Sequence, residues 1–179
     1  MADRVLVAYA SKFGSTAEIA QAVGATLRTA GFEVDVKRAK EVRSLAGYRA
    51  AVVGSAVYMA RWRREAVRLL RRRRHELAER DVWLFSSGPV AQPDTAPPAD
   101  AATADRWTRP KRVEELASEI GAHEHVVFGG SVSDDRGGFV RKSMAAKLPA
   151  DRRDDRDWHA IEAWAKNIAT ELTEHARAT

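Results

Sequence analysis

The chain has 179 residues, and 45% of them are hydrophobic, a composition typical of a globular protein long enough for one sizeable core. It contains no cysteine, which excludes disulfides, thiolate nucleophiles and cysteine-ligated metal sites. The formal net charge of +5 favours an anionic partner, such as nucleic acid, an anionic lipid surface or an acidic small molecule.

Short apolar strands alternate with helices along the chain. We expect strands at 4–9, 32–37, 50–55, 82–86 and 125–130, and helices at 15–30, 62–78, 111–121 and 157–176. The alternation predicts an α/β protein, with a doubly wound open sheet of parallel strands, helices on both faces and a single domain over residues 1–179. Residues 32–37 alternate apolar and charged side chains, which places that strand near a sheet edge.

The first strand ends in a segment of hydroxyls, a lysine and a glycine, which directly precedes the first helix: Ser11, Lys12, Phe13, Gly14, Ser15 and Thr16. Backbone amides at a helix start lack partners and bind anions, and a glycine lets the backbone approach an anion closely. The segment therefore suggests a phosphate monoester site. The alternative is that Ser15 or Thr16 merely caps the helix. Neither a P-loop nor a dinucleotide-binding fingerprint is present.

Two further strand ends could hold a planar ring system. Residues 54–62 follow the third strand and 86–92 follow the fourth. Backbone amides in 55–58 and 87–90 could hydrogen-bond the ring edges, and Tyr58 or Trp62 could cover a face. Packing of the next helix is the alternative for both aromatic residues.

The segments YASKFGSTAEIA, VVGSAVYMARW, LFSSGPVAQPDTAPP, VVFGGSV and RDWHAIEAWAKNIA occur in an order that resembles the flavodoxin family. The first contains the flavodoxin phosphate-loop pattern [ST]-x-x-G-x-T at residues 11–16. Within that family the chain looks most like the short menaquinone-dependent protoporphyrinogen oxidases. The likeness covers nearly the whole chain and implies a flavodoxin-like fold with strand order 2-1-3-4-5.

The resemblance also implies non-covalent FMN. The FMN phosphate would lie on residues 11–16, and the ring between two segments whose members are Ser55, Ala56, Val57, Tyr58, Ser86, Ser87, Gly88, Pro89 and Val90. The implied function is an FMN-dependent oxidoreductase that passes electrons between an organic substrate and a quinone such as menaquinone. No side chain needs to act as a general acid or base, so no catalytic residue is assigned.

Two other functions remain open at this stage. A flavodoxin-type electron carrier would share the cofactor, although carriers of this fold tend to be acidic and this chain has a sequence pI of about 9.8. A binding module could keep the fold without a flavin. The proline-containing loop 88–110 and the segment 131–142 are expected to wall the substrate or quinone site, unless the loop is a tolerated insertion.

The expected helix 62–78 is strongly basic, since eight arginines lie between Arg61 and Arg74. Trp62, Ala66, Leu69, Leu70 and Leu77 form an apolar stripe beside them. A solvated helix face is the simple interpretation, and contact with an anionic membrane surface is the functional one. Nucleic acid is disfavoured, because no stacking aromatics are interleaved with the arginines.

The cellular location and the absence of a metal site are predicted from signals that the sequence does not contain. Residues 1–4 lead directly into a strand pattern without a secretory signal, so we expect a cytoplasmic protein, with a peripheral position at the inner membrane face if the basic helix binds lipid. His123 and His125 have no cysteine or clustered acids near them in the sequence, and no metal site is predicted. His159 and His175 are expected to be ordinary surface or packing residues of the last helix.

Overall fold

The computed structural model describes residues 4–88, 107–131 and 154–177. The strands are β1 (Arg4–Ala10), β2 (Glu33–Arg38), β3 (Ala50–Tyr58), β4 (Arg61–Trp62), β5 (Asp81–Ser87) and β6 (Glu124–Phe128). The helices are α1 (Ser15–Thr29), α2 (Arg64–Arg72), α3 (Arg74–Ala78), α4 (Lys111–Ile120) and α5 (Trp158–Arg177). A 3-10 turn, Ala39–Glu41, follows β2.

Five parallel strands form the sheet in the order β2-β1-β3-β5-β6. Counted without the short β4, this is the predicted order 2-1-3-4-5, so the doubly wound fold is confirmed. The strand with alternating charges, β2, lies at one edge as predicted. Because the chain moves in opposite directions after β1 and after β2, the sheet has its switch point between β1 and β3.

The two faces of the sheet carry separate hydrophobic cores. On one face α1 and α5 bury side chains such as Ile19, Leu27 and Ile168 against Trp83 and Phe85. On the other face α2, α3 and α4 cover alternate residues of the same strands. This alternation is the pattern expected of buried parallel strands, and it leaves the carboxyl ends of β1, β3 and β5 at one edge of the molecule.

The predicted basic helix 62–78 is wrong in its bounds. Residues 61–62 form β4, which pairs antiparallel with the end of β3, and the helical part is divided at Arg73 into α2 and α3. The indole of Trp62 is buried and donates a hydrogen bond to Ser86 Oγ at 2.8 Å, so this residue packs in the core rather than at a helix start. The apolar stripe of 62–78 is buried with it and is not available to a lipid layer.

Candidate cofactor-binding site

The segment between β1 and α1 brings several hydrogen-bond donors to the carboxyl edge of the sheet. Gly14 has φ +98° and ψ −20°, the left-handed conformation that favours glycine, and it is the residue that precedes the helix. The first intrahelical bond runs from Glu18 N to Gly14 O at 3.0 Å. Within the described ranges no side chain caps this end, so the amides of the first turn have no intrahelical partner. The alternative that Ser15 or Thr16 merely caps α1 is therefore wrong.

Three hydroxyl groups of this segment can donate hydrogen bonds to a ligand. Ser11 Oγ accepts a hydrogen bond from Gly14 N at 2.9 Å, and Ser15 Oγ accepts one from Ser131 N at 3.1 Å. Each oxygen is thus fixed by a backbone amide while its proton is left to donate elsewhere. Thr16 is 1% exposed, and its Oγ1 has no hydrogen-bond partner within the described ranges. A buried hydroxyl in this state fits a site that an anion completes.

Glu18, in the first turn of α1, forms an ion pair with Arg156. The guanidinium of Arg156 is buried, pairs with Glu18 Oε2 and also binds Asp154 at 2.6 Å. The hydrogen bond from Arg156 lowers the pKa of the Asp154 carboxyl against the opposing effect of its burial. The ion pair partly offsets the charge of the acidic side chain nearest the helix start, which lessens its repulsion of an anion there.

The residues after β6 also lie beside the segment at residues 11–16. Ser131 pairs with Asp154, and Asp155 N donates to Gly130 O at 3.0 Å. A side chain at Gly129 would place its Cβ 2.0 Å from Asp155 O, so only glycine lets these two segments approach so closely. The contact from Ser131 to Ser15 then closes the side of the segment at residues 11–16.

A tight turn follows β3 and carries exposed apolar side chains beside the 11–16 segment. Met59 and Ala60 have φ of +49° and +56°, and they join β3 to β4 as a two-residue hairpin. Met59 is 89% exposed and Tyr58 is 41% exposed. The Tyr58 ring meets the Phe13 ring edge to face, with centroids 6.1 Å apart. These two aromatic side chains form one wall beside the predicted phosphate segment.

The structure places part of the predicted ring site within a strand. Residues 55–58 belong to β3 rather than to a loop, and Ser55 pairs with Ala10 and Ser86 while Ala56 pairs with Ser87. The Ser55 hydroxyl accepts from Arg63 N and donates to Ala56 O, both at 2.9 Å. Val57 is buried in the core. Of these four residues, Tyr58 is the exposed one.

Ser86 is also a structural residue. It is fully buried, and its Oγ lies 2.9 Å from His125 Nε2 as well as accepting the Trp62 indole. The second ring nitrogen of His125 bonds to Glu114 of α4. This chain of four side chains joins β4, β5, β6 and α4 just below the carboxyl edge of the sheet.

The last part of the predicted ring site is described only at its start. Ser87 ends β5 in a buried position, and Gly88 has φ +101° and donates its amide to Phe128 O at 3.0 Å. The Gly88 amide therefore already donates its hydrogen bond to a backbone carbonyl of the neighbouring strand. Pro89 and Val90 lie outside the described residues, as do most of the loop 88–110 and nearly all of the segment 131–142.

A family model, the flavodoxin domain, matches residues 6–158. The chain belongs to the flavodoxin domain family. The match covers most of the chain, including β1 from its third residue, the 11–16 segment and the other strands of the sheet. No curated protein matches this flavodoxin domain.

Solved structures agree on the fold. An archaeal flavodoxin aligns over 95% of this chain and 99% of its own, with a TM-score of 0.60 and 15% identity. A cysteine-to-serine mutant of flavodoxin from Pseudomonas aeruginosa covers the same shares of the two chains, with a TM-score of 0.60 and 17% identity. Rubredoxin oxygen:oxidoreductase from Desulfovibrio gigas aligns with 96% of this chain at a TM-score of 0.62 and 14% identity, and this chain spans 36% of it.

FMN, which the resemblance to flavodoxins implies, is the cofactor of the flavodoxin family, and the protein is a redox flavoprotein of that family. The residues fit the FMN phosphate, since the uncapped start of α1 and the buried Thr16 hydroxyl both lack, among the described residues, a partner that an anion would supply. The sequence does not predict Arg156 as a neighbour of this site, and it predicts Ser131 only as part of the segment 131–142 beside the substrate or quinone. No local signal could have found them, because they lie 138 and 116 residues from their partners in α1.

No helix in the described ranges is both long and apolar enough to cross a membrane.

Proposed function

We propose that residues 11–16 hold the phosphate of FMN and that the protein is an FMN-dependent oxidoreductase, which passes electrons between an organic substrate and a quinone. The oxidoreductase part rests on the resemblance of nearly the whole chain to menaquinone-dependent protoporphyrinogen oxidases. The phosphate part rests on one observation above the others. The buried hydroxyl of Thr16, beside the uncapped helix, has no partner in the part of the chain that the structure describes.

The chain's own groups divide into those that bind phosphate and those that line the ring. The hydroxyls of Ser11, Ser15 and Thr16 donate hydrogen bonds to phosphate oxygens. The first amides of α1 add the favourable end of the helix dipole. Phe13 and Tyr58 offer aromatic surface on the ring side. When bound, FMN supplies the electron-transfer chemistry, and the protein contributes its position and surroundings.

The test compares FMN with riboflavin, which is the same ring system without the phosphate. Fluorescence titration of flavin-free protein should give an affinity for FMN at least about 100-fold higher, because two or more hydrogen bonds to a charged group are worth about 1.5–3 kcal/mol each. Equal affinities for the two flavins would show that the phosphate is not held here. A protein that binds neither flavin would instead be the flavin-free binding module.

The positive surface favours an enzyme over a carrier. The arginines that face solvent on α2 and α3 include Arg64, Arg68, Arg71 and Arg74, in a chain of net charge +5. Carriers of this fold tend to be acidic, so a shared reductase would meet the wrong charge. An enzyme should reduce a soluble menaquinone analogue through repeated turnovers with an organic donor and no second protein. A requirement for a separate reductase would support the carrier.

We further propose that this arginine face contacts anionic lipid and brings the site near a quinone in the bilayer. The apolar stripe beside the arginines does not support this lipid contact, because the stripe is buried. The remaining support is electrostatic, together with the exposed Met59 at the hairpin that leads into α2. Clustered arginines near a surface each add about 1 kcal/mol of attraction.

Vesicle sedimentation tests this contact. Binding to vesicles with anionic lipid should exceed binding to neutral vesicles and should fall when Arg68 and Arg71 are both changed to glutamine. The control is the pair Lys166→Gln and Arg177→Gln on α5, which covers the opposite face of the sheet. Equal losses in both pairs would mean a general charge effect, and no binding to anionic vesicles would refute the proposal.

A further inference from the structure

We propose that Asp81, His123 and His175 form a binding site for a divalent transition-metal ion of the zinc class. One ligand atom from each residue lies within 4.8 Å of those of the other two. Asp81 Oδ1 is 2.8 Å from His123 Nε2 and 3.2 Å from His175 Nδ1. The site stands at the amino ends of β5 and β6, so it is separated by the length of the sheet from the segment at residues 11–16.

Three different elements supply the ligands, and each holds its residue in place. Asp81 is the first residue of β5, and His123 directly precedes β6, where its backbone N–H donates to Val82 O at 2.8 Å. The His123 ring stacks on the buried Trp83 ring with centroids 4.9 Å apart. His175 lies in the last turn of α5. Two of the three ligands are thus fixed by the sheet, and the third by a helix packed on it.

The ligand set suits the zinc class. Two imidazole nitrogens and one carboxylate oxygen are ligands that zinc accepts, at about 2.0–2.2 Å each, which in a tetrahedron places ligand atoms about 3.3 Å apart. The 3.2 Å distance is near that spacing, the 2.8 Å distance is shorter, and the two histidine nitrogens lie within 4.8 Å of each other. Each histidine would bind through the nitrogen that already faces Asp81 and keep its proton on the other ring nitrogen. All three side chains are partly exposed, which leaves the fourth position to water.

Favourable and unfavourable charges near the three ligands set the expected affinity for the metal ion. The carboxyl end of α5 carries the negative end of the helix dipole, which favours a cation. Arg177 lies in the same last turn, and the Arg49 guanidinium binds the Leu172 carbonyl of that helix. These positive charges oppose the ion, so we expect a micromolar site rather than the tighter binding of a buried structural zinc.

A bound ion would fasten the end of α5 to the sheet. The helix packs on α1, and the chain just before it carries Arg156, which pairs with Glu18. Metal binding should therefore raise the melting temperature, since a ligand that binds the folded state stabilises it. This effect is independent of flavin binding and of turnover.

The test is calorimetric titration of the chelator-treated full chain with Zn²⁺, with the absorption spectrum of added Co²⁺ as a second readout. We expect one bound ion, and an affinity at least about tenfold weaker in His175→Ala and in His123→Gln. The control is His159→Ala, another exposed histidine of α5, which should bind as the parent does. His175→Ala removes a partly exposed side chain in the last helical turn, so it should fold even if loss of the stacked His123 ring does not permit folding.

Two results would overturn the proposal. One is the absence of Zn²⁺ binding and of any Zn²⁺-dependent rise in melting temperature in the parent chain. The other is binding that survives unchanged in His175→Ala, or that falls equally in His159→Ala. In either case Asp81 would serve only as a hydrogen-bond acceptor for the two histidines.

Discussion

Replacing Thr16 with valine should change stability and cofactor binding in opposite directions. The Thr16 hydroxyl is buried and has no partner within the described ranges, so in the flavin-free protein it adds only the cost of its desolvation. Valine has nearly the same shape without that oxygen. If the Thr16 hydroxyl donates a hydrogen bond to the phosphate of FMN, the variant loses that hydrogen bond only when FMN is bound.

The size of both effects follows from the hydrogen bond. A buried hydroxyl without a partner costs about 1–3 kcal/mol, so the free energy of unfolding of the flavin-free Thr16→Val variant should rise by up to that amount. A hydrogen bond to a charged group is worth about 1.5–3 kcal/mol, and tenfold in affinity corresponds to about 1.4 kcal/mol. The dissociation constant for FMN should therefore increase by a factor of about 10–150.

Urea unfolding without flavin and fluorescence titration with FMN measure the two quantities. Thr16→Ser keeps the hydroxyl and should retain most of the affinity. Thr26→Val is the matched control elsewhere in α1, because its hydroxyl already donates to Ala22 O at 3.1 Å. That control should leave FMN affinity unchanged and should not stabilise the protein. A Thr16→Val variant that binds FMN as tightly as the parent would refute the placement of the phosphate.

Three further predictions concern the scaffold. Gly54→Ala would place a Cβ 2.0 Å from Cζ of the buried Phe85, so it should lower the free energy of unfolding by about 1–3 kcal/mol in urea, and adding Phe85→Leu should recover part of the loss. Glu76→Gln should flatten the acid dependence of stability. The hydrogen bond from Leu45 N lowers the pKa of Glu76 below 4.5, so its stabilisation is complete above that value and is lost as the pH falls through the lowered pKa. Thermal unfolding at a series of pH values from about 6 to about 3 shows the difference, and parallel curves would contradict it. Ala60→Gly should raise stability by about 1 kcal/mol, since φ of +56° is costly for alanine, and an unchanged melting temperature would count against strain at this turn.

The first strand, the glycine turn after it and the first helix could be predicted because their signals are local. An apolar run, a glycine with its neighbouring hydroxyls and a helical repeat follow one another within residues 4–29, and each element begins where its own residues indicate. The strand order could be predicted for a different reason. Right-handed crossovers and the resemblance to flavodoxins leave few arrangements for alternating strands and helices.

The errors arose where distant residues decide the local structure. Residues 54–55 have the appearance of a strand end, yet Gly54 lies under the Phe85 ring inside the sheet and β3 continues to Tyr58. Trp62 fits a helical stripe by spacing, but Ser86 and His125 bind and pack its ring from other strands. The pairing of His123 and His175 with Asp81 likewise depends on the fold, because the three residues are far apart in the sequence.

The contacts that complete the 11–16 segment have a consequence for synthesis. Ser15 and Glu18 belong to α1, which is synthesised before their partners Ser131 and Arg156. A nascent chain that ends before residue 156 therefore lacks the guanidinium that pairs with Glu18 beside the segment at residues 11–16. Flavin loading should be a late event in translation, and truncated translation products should emerge colourless.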